Sequence, residues 1–167
     1  MTRIILLLLA LMPGTVLALS GDRDQPIHIE ADSLDIDETA GISTYQGNVR
    51  YTQGTIVMNA DTIIVHSRDG HLYKFEAFGN PAHYQQQLEK DGDLSAKAKS
   101  MEYVSDTEKL VLKDSVHVVK GENEFSGNVV EYNTKDEIVS ARKAESGGER
   151  VQVIIQPRKQ ADEAGAK

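Results

Sequence analysis

Apolar and polar residues alternate with period two along most of the chain. Ile27, Ile29 and Ala31 are interleaved with His28, Glu30 and Asp32, Leu34 and Ile36 with Asp35 and Asp37, and Val49 and Tyr51 with Arg50 and Thr52. Met101 and Tyr103 flank Glu102, Leu110 and Leu112 flank Val111, and Val116 and Val118 flank His117. In an extended chain alternate side chains share a face, so each segment predicts a half-buried β-strand. Polar turn signals separate them: Glu38–Gly41, Gln46-Gly47-Asn48, Gln53-Gly54, Arg68-Asp69-Gly70, Gly79-Asn80-Pro81, Lys90–Asp93 and Gly147-Gly148. Strands at roughly 8–12-residue spacing with such turns form an all-β sandwich, roll or solenoid. Beyond the leader no window keeps an i, i+3, i+4 apolar stripe, so no helix is expected. The polar stretch Gln85–Asp93 is the candidate for a hinge or long loop, and Arg158–Lys167 for a flexible polar tail.

The strand pattern repeats. Shifted by 67 positions, Ile29–Ala77 lies on Ala96–Ala144 without a gap. Leu34 meets Met101, Ile36 meets Tyr103, Tyr45 meets Leu112, Val49 meets Val116, Gly54 meets Gly121, Met58 meets Phe125 and Ile63 meets Val130. Only six of the 49 pairs are identical, so the match lies in inward positions and turn glycines rather than in residue identity. Two stacked copies with no Pro/Ser-rich linker between them predict one elongated β body.

The leader is the exception to the alternation. Arg3 precedes an almost wholly Leu, Ile and Ala run from Ile4 to Met12, Pro13-Gly14 breaks it, and Val16-Leu17-Ala18 offers a small-residue cleavage site. This layout predicts an export signal over Met1–Ala18, the run being far short of the ~20 residues that span a bilayer. Cleavage removes Arg3 and turns 18 basic against 26 acidic residues, a charge of -8, into 17 against 26, a charge of -9. The acidic balance argues against a nucleic-acid partner, which needs a cationic surface. With no Cys, disulfides, thiolate metal sites and cysteine nucleophiles are excluded. His28, His66, His71, His83 and His117 are scattered without a ligand pair, so no metal and no cofactor are expected. Asp35 and Asp37 share the face opposite Leu34 and Ile36, which makes them solvated rather than a catalytic pair.

Several segments then converge on one family. They are Asp22-Arg23-Asp24-Gln25-Pro26-Ile27-His28-Ile29-Glu30-Ala31-Asp32, Tyr45-Gln46-Gly47-Asn48-Val49, Thr52-Gln53-Gly54-Thr55-Ile56, Asn59-Ala60-Asp61, and Gly79-Asn80-Pro81-Ala82 with Tyr84 just after. Together they resemble the OstA-like family of periplasmic lipopolysaccharide-transport proteins that includes LptA, and the likeness runs from Asp22 to Pro157. The resemblance implies a twisted, open antiparallel β-jellyroll over residues 19–157 with a slot-like interior. It also implies a non-enzymatic role in the periplasm, carrying lipopolysaccharide from the inner to the outer membrane. The partners it implies are lipopolysaccharide itself, LptC at the inner membrane, the periplasmic domain of LptD at the outer membrane, and further copies of the chain stacked head to tail.

An amphipathic lipid cannot cross water bare, since each exposed CH₂ costs about 0.8 kcal/mol. A β body with aliphatic inner faces that fails to close could hold acyl chains, with headgroups outside. Strand phase assigns Ile27, Ile29, Leu34, Ile36, Tyr84, Met101, Tyr103, Leu112, Val118 and Phe125 to such an interior. For Ile27, Tyr84 and Tyr103 the resemblance adds correspondence with lipid-facing positions. The first strand, near Gln25–Ala31, and the last, Arg150–Gln156, carry no central proline or lysine cluster to blunt them, which predicts head-to-tail strand pairing. Two alternatives stand beside the bridge: a closed, monomeric lipocalin-like carrier, and a parallel β-solenoid that processes polysaccharide.

Overall fold

In a computed structural model the described residues are 21–88, 92–136, 138–143 and 150–155. The expected export signal and polar tail, and the Gly147-Gly148 turn, lie outside them. Among the described residues one short 3-10 turn, η1 (Asp22–Asp24), precedes ten strands. These are β1 (Ile27–Glu30), β2 (Ser33–Asp37), β3 (Ile42–Gln53), β4 (Ile56–Arg68), β5 (His71–Leu88), β6 (Gly92–Val104), β7 (Lys109–Lys120), β8 (Asn123–Asn133), β9 (Ile138–Arg142) and β10 (Gln152–Ile154). Every pairing is antiparallel, and β3 to β8 follow one another across a single sheet. β1 and β2 share the free edge of β3, and β9 and β10 share that of β8. Among the described residues these two edges do not meet, so the sheet is open. That excludes both the closed barrel and the parallel solenoid.

The sheet is creased. Each long ladder slips near its middle, at Gln46/Val49, Asn59/Thr62, Phe78/Ala82, Lys97/Ser100 and Lys113/Val116. Extra residues in a strand bend it and increase its twist, and a line of such bulges folds the sheet into two leaves. Leaf I holds β2, β9 and residues 42–46, 62–68, 71–78, 100–104, 109–113 and 129–133. Leaf II holds β1, β10 and residues 49–53, 56–60, 82–88, 92–98, 116–120 and 123–127. The leaves face one another: the Tyr51 ring on leaf II lies 5.7 Å from Phe75 on leaf I. Between them Val49, Met58, Ile63, Met101, Leu110, Leu112 and Val130 are fully buried in one core.

The bulges correct two expectations. Gln46-Gly47-Asn48 and Gly79-Asn80-Pro81 are not turns between strands but kinks inside β3 and β5, with Gly47 and Asn48 at φ +79° and +47° and a cis Asn80–Pro81 bond. Gln85–Asp93 is not a long loop either. β5 runs on to Leu88 and β6 starts at Gly92, because the two strands pair with each other across this polar stretch, Gln85 with Ser95 through Leu88 with Gly92. The final strand is shorter than expected, β10 covering Gln152–Ile154, and it shares its edge with β9.

The 67-residue repeat is present in three dimensions. β3 and β7, β4 and β8, and β5 and β9 begin 67 residues apart. Left-handed backbone recurs in step: Gly47 and Asn48 with Asp114 and Ser115, Gly41 with Glu108, and Gly54 (φ +58°) with Gly121 (φ +59°). The copies fall out of step in β9, where Ala141 continues the row of Ala77, three positions short of a shift of 67.

Candidate functional site

Directly paired residues share a face of a sheet, so the registers trace rows of side chains across all the strands. One row reads Ile36, Ser43, Val65, Phe75, Tyr103, Leu110, Tyr132, Val139; the next, Leu34, Tyr45, Ile63, Ala77, Met101, Leu112, Val130, Ala141. On leaf II a third reads Ile29, Tyr51, Met58, Tyr84, Ala96, Val118, Phe125, Val153. These rows line the space between the leaves. They contain nine of the ten candidate residues, and Ile27 lies one row further toward the leaf tip, paired with Gln53.

Burial divides the candidates by position along the row. Tyr84, Met101, Leu112 and Val118 are buried, while Ile29, Tyr103 and Phe125 are partly buried against the core. Ile27, Leu34 and Ile36 face inward but are uncovered, Ile36 being 60% exposed. They belong to β1 and β2, beyond which no strand follows among the described residues, so the described inner face ends there. Val153 on β10 is 48% exposed for the same reason at the other end.

Opposite the crease, the leaf tips do not close. A cavity of about 740 Å³ lies between them, lined by Tyr51, Ile56, Tyr84 and Leu88 from leaf II and Leu72, Phe75, Tyr103 and Leu110 from leaf I. This volume is within the roughly 300–1,000 Å³ of ligand sites. Phe75 stacks on Tyr103 at 5.4 Å, so Tyr51, Phe75 and Tyr103 form a continuous aromatic wall. The lip is polar: Asp22, Asp24, Gln53, Thr55, Gln86, Gln87, Thr134 and Lys135. Burial, and then neighbouring Tyr103, holds the Tyr51 phenol well above its usual pKa. Burial, followed by Tyr132 and Asp22, does the same to Tyr84. Both therefore stay protonated, Tyr51 donating to Gln53 Oε1 at 2.7 Å and Tyr84 to Gln86 Oε1 at 2.9 Å.

Tyr51 and Leu110 share the inward phase of their strands but are not among the ten candidates, and neither are Phe75 and the glutamines. The alternation Tyr73-Lys74-Phe75-Glu76-Ala77 carried the signal for Phe75; nothing local marks Gln53 and Gln86 as rim acceptors. Apart from Asp22, Asp24 and Lys135 on the lip, the charged candidates lie elsewhere. Asp35 and Asp37 are exposed, and His66 and His117 each face a carboxylate, Glu76 at 2.8 Å and Glu124 at 3.3 Å. Among the described residues no group of three or more metal-ligating side chains converges.

An open, creased sheet with an apolar interior and a polar rim is what a family comparison must explain. A family model described as LptA/(LptD N-terminal domain) LPS transport protein matches residues 28–138. The chain belongs to this family. Lipopolysaccharide export system protein LptH of Pseudomonas aeruginosa is 33% identical over 159 residues, 91% of each chain. Lipopolysaccharide export system protein LptA of Escherichia coli strain K12 is 31% identical over 142 residues, 84% of this chain and 76% of its own. The crystal structure of LptH, titled the LptA homologous periplasmic component of the lipopolysaccharide transport device of Pseudomonas aeruginosa, matches with a TM-score of 0.76. Its identity is 29%, over 83% of this chain and 100% of that one. In this member of the LptA family the matched segment begins in β1 and ends at the start of β9, so it takes in the crease and both leaves.

Proposed function

We propose that this protein carries lipopolysaccharide through the periplasm, holding acyl chains between the two leaves while the headgroup stays outside. The observation that carries this reading is the polarity of the folded sheet: three unbroken inward rows, mostly apolar, running alongside an open mouth with a hydrogen-bonding rim. Burying a chain there recovers about 0.8 kcal/mol per methylene without asking the protein to desolvate a phosphate. The mature charge of -9 expected from the sequence favours leaving phosphates outside. Chemistry is not required of it, and its carboxylates lie mainly on outer faces and rims, so it works as a carrier rather than an enzyme. Names and titles of its relatives support the lipopolysaccharide cargo and the periplasmic setting.

The uncovered edges support a bridge over a solitary carrier. Among the described residues no strand pairs the outer edges of β1/β2 and β9/β10, edges of the kind that natural sheets pair, charge or cover, and the apolar side chains along them suit another jellyroll strand. The partners are further copies of the chain, with LptC at the inner-membrane end and the periplasmic domain of LptD at the outer-membrane end. A photo-crosslinking side chain at Ile27, Tyr84 or Tyr103 is expected to trap lipopolysaccharide, whereas one at Arg50 or Glu102, on outward rows, is not. Equal labelling at inward and outward positions would refute the slot.

A further inference from the structure

Residues 21–25 stand outside the sheet yet are fastened to it. Asp22 accepts three hydrogen bonds: from the Thr55 backbone N–H at 2.7 Å, from the Thr55 hydroxyl at 2.8 Å and from Gln86 Nε2 at 3.0 Å. Gln53 Nε2 donates to the Gln25 carbonyl at 3.1 Å. The seat is shaped for the segment, because a Cβ on Gly54 would lie 2.3 Å from Asp22 Oδ1 and 3.0 Å from its Cα. The segment also walls the mouth cavity, through Gly21, Asp22 and Asp24. Gln53 and Gln86, which hold it, are the same groups that accept the Tyr51 and Tyr84 hydroxyls from the cavity wall. Occupancy of the cavity and seating of the segment thus share two side chains.

We propose that residues 21–25 are a latch on the mouth of the slot, clasped by Asp22, and that the latch swings off its seat when a lipid headgroup passes. The inference rests on the proposed function, in which chains lie inside and headgroups project through the mouth. A headgroup moving along the rim meets the segment beside Thr55 and Gln86; a lone acyl chain can slide beneath it. Because the three Asp22 bonds converge on one carboxylate, one substitution releases the clasp.

The chain has no cysteine, so Asp22→Cys with Thr55→Cys can be locked by oxidation and reopened by reductant without competing thiols. Uptake is followed for purified lipopolysaccharide and, separately, for cis-parinaric acid, a single-chain fluorescent fatty acid. The oxidised protein is expected to load lipopolysaccharide at least about tenfold more slowly than the reduced form, equivalent to about 1.4 kcal/mol, with fatty-acid uptake changed less than about twofold. Asp22→Ala, which needs no cross-link, is expected to load lipopolysaccharide faster than the parent. Equal lipopolysaccharide rates in the oxidised and reduced protein, equal slowing of both lipids, or a parental rate in Asp22→Ala would each overturn the latch. Failure of every form, parent included, to take up lipopolysaccharide would instead overturn the proposed function.

Discussion

Glu76 sits on the outer face of leaf I and is held from two sides. His66 Nε2 lies 2.8 Å from its Oε2 and Lys74 Nζ 3.2 Å from its Oε1, and Lys74 also reaches Glu102 at 3.2 Å. Burial alone would raise the carboxyl, but the hydrogen bonds from His66 and Lys74 outweigh it and keep Glu76 below the usual carboxylate range. For Lys74 burial pulls downward, and the hydrogen bonds to Glu102 and Glu76 win, holding it above its ordinary value. A depressed carboxylate stabilises the fold above its unfolded value of about 4.3, and that contribution is lost as pH falls through the lower folded value. A raised lysine stabilises below about 10.4 and loses its contribution as pH rises through the higher folded value. Glu76→Gln is therefore expected to lower urea stability at about pH 7, with the gap to the parent closing toward about pH 3. An equal gap at both pH values would assign the loss to packing instead. Such groups give the sheet a charged outside, which is what leaves its other face free to be apolar.

The crease is the property of the strands that makes a slot out of a sheet. At its first bulge Gly47 adopts φ +79°, Asn48 Nδ2 donates to Asp32 Oδ2 at 2.8 Å, and the Asp32 N–H donates to the Gly47 carbonyl at 3.0 Å. The break between β1 and β2 is thereby tied to the bulge in β3. A Cβ on Gly47 would come within 2.4 Å of Asp32 Oδ2. Gly47→Val, with a β-branched side chain forced into left-handed backbone, is expected to cost about 2 kcal/mol in urea unfolding at unchanged denaturant slope. A loss under about 0.5 kcal/mol would mean that the bulge can be rebuilt without glycine. Strand faces were legible in the sequence because period two is a local property: the phase of Leu34 and Ile36 needs nothing beyond their neighbours. The crease was not, because a bulge and a turn ask for the same residues. Gly47-Asn48 supplies positive φ whether the chain reverses or only kinks, and the outcome depends on partner strands kinking in line. Exposure was likewise hidden, since Ile36 and Tyr103 lie in one row and differ only in what lies beyond them. The clasp at Asp22 joins residues 33 and 64 positions apart, a distance that no local pattern spans.

Across the whole molecule each inward row starts on β1 or β2 and finishes on β9 or β10. In the proposed stack a second copy continues the rows, which fixes the register: Val139 opposite Ile36 of a second copy, Ala141 opposite Leu34, and Val153 opposite Ile29. Covering a Val or Ile that is now exposed is worth roughly 1.5–3 kcal/mol at full burial, less the part already shielded. Ile36→Cys with Val139→Cys, in a chain otherwise free of cysteine, is expected to oxidise to a ladder of covalent multimers on a non-reducing gel. Ile36→Cys with Ser140→Cys, one residue out of phase, places the thiols on opposite faces and is expected to stay monomeric. Ladders from both pairs, or from neither, would rule out this register. Continuity of the rows also has a consequence for whatever moves inside. A guest chain travelling along such a stack meets one side chain per row every strand, about 4.8 Å apart, at the joints as in the middle. The corrugation that it feels has the period of a strand, and the boundary between one molecule and the next raises no barrier of its own.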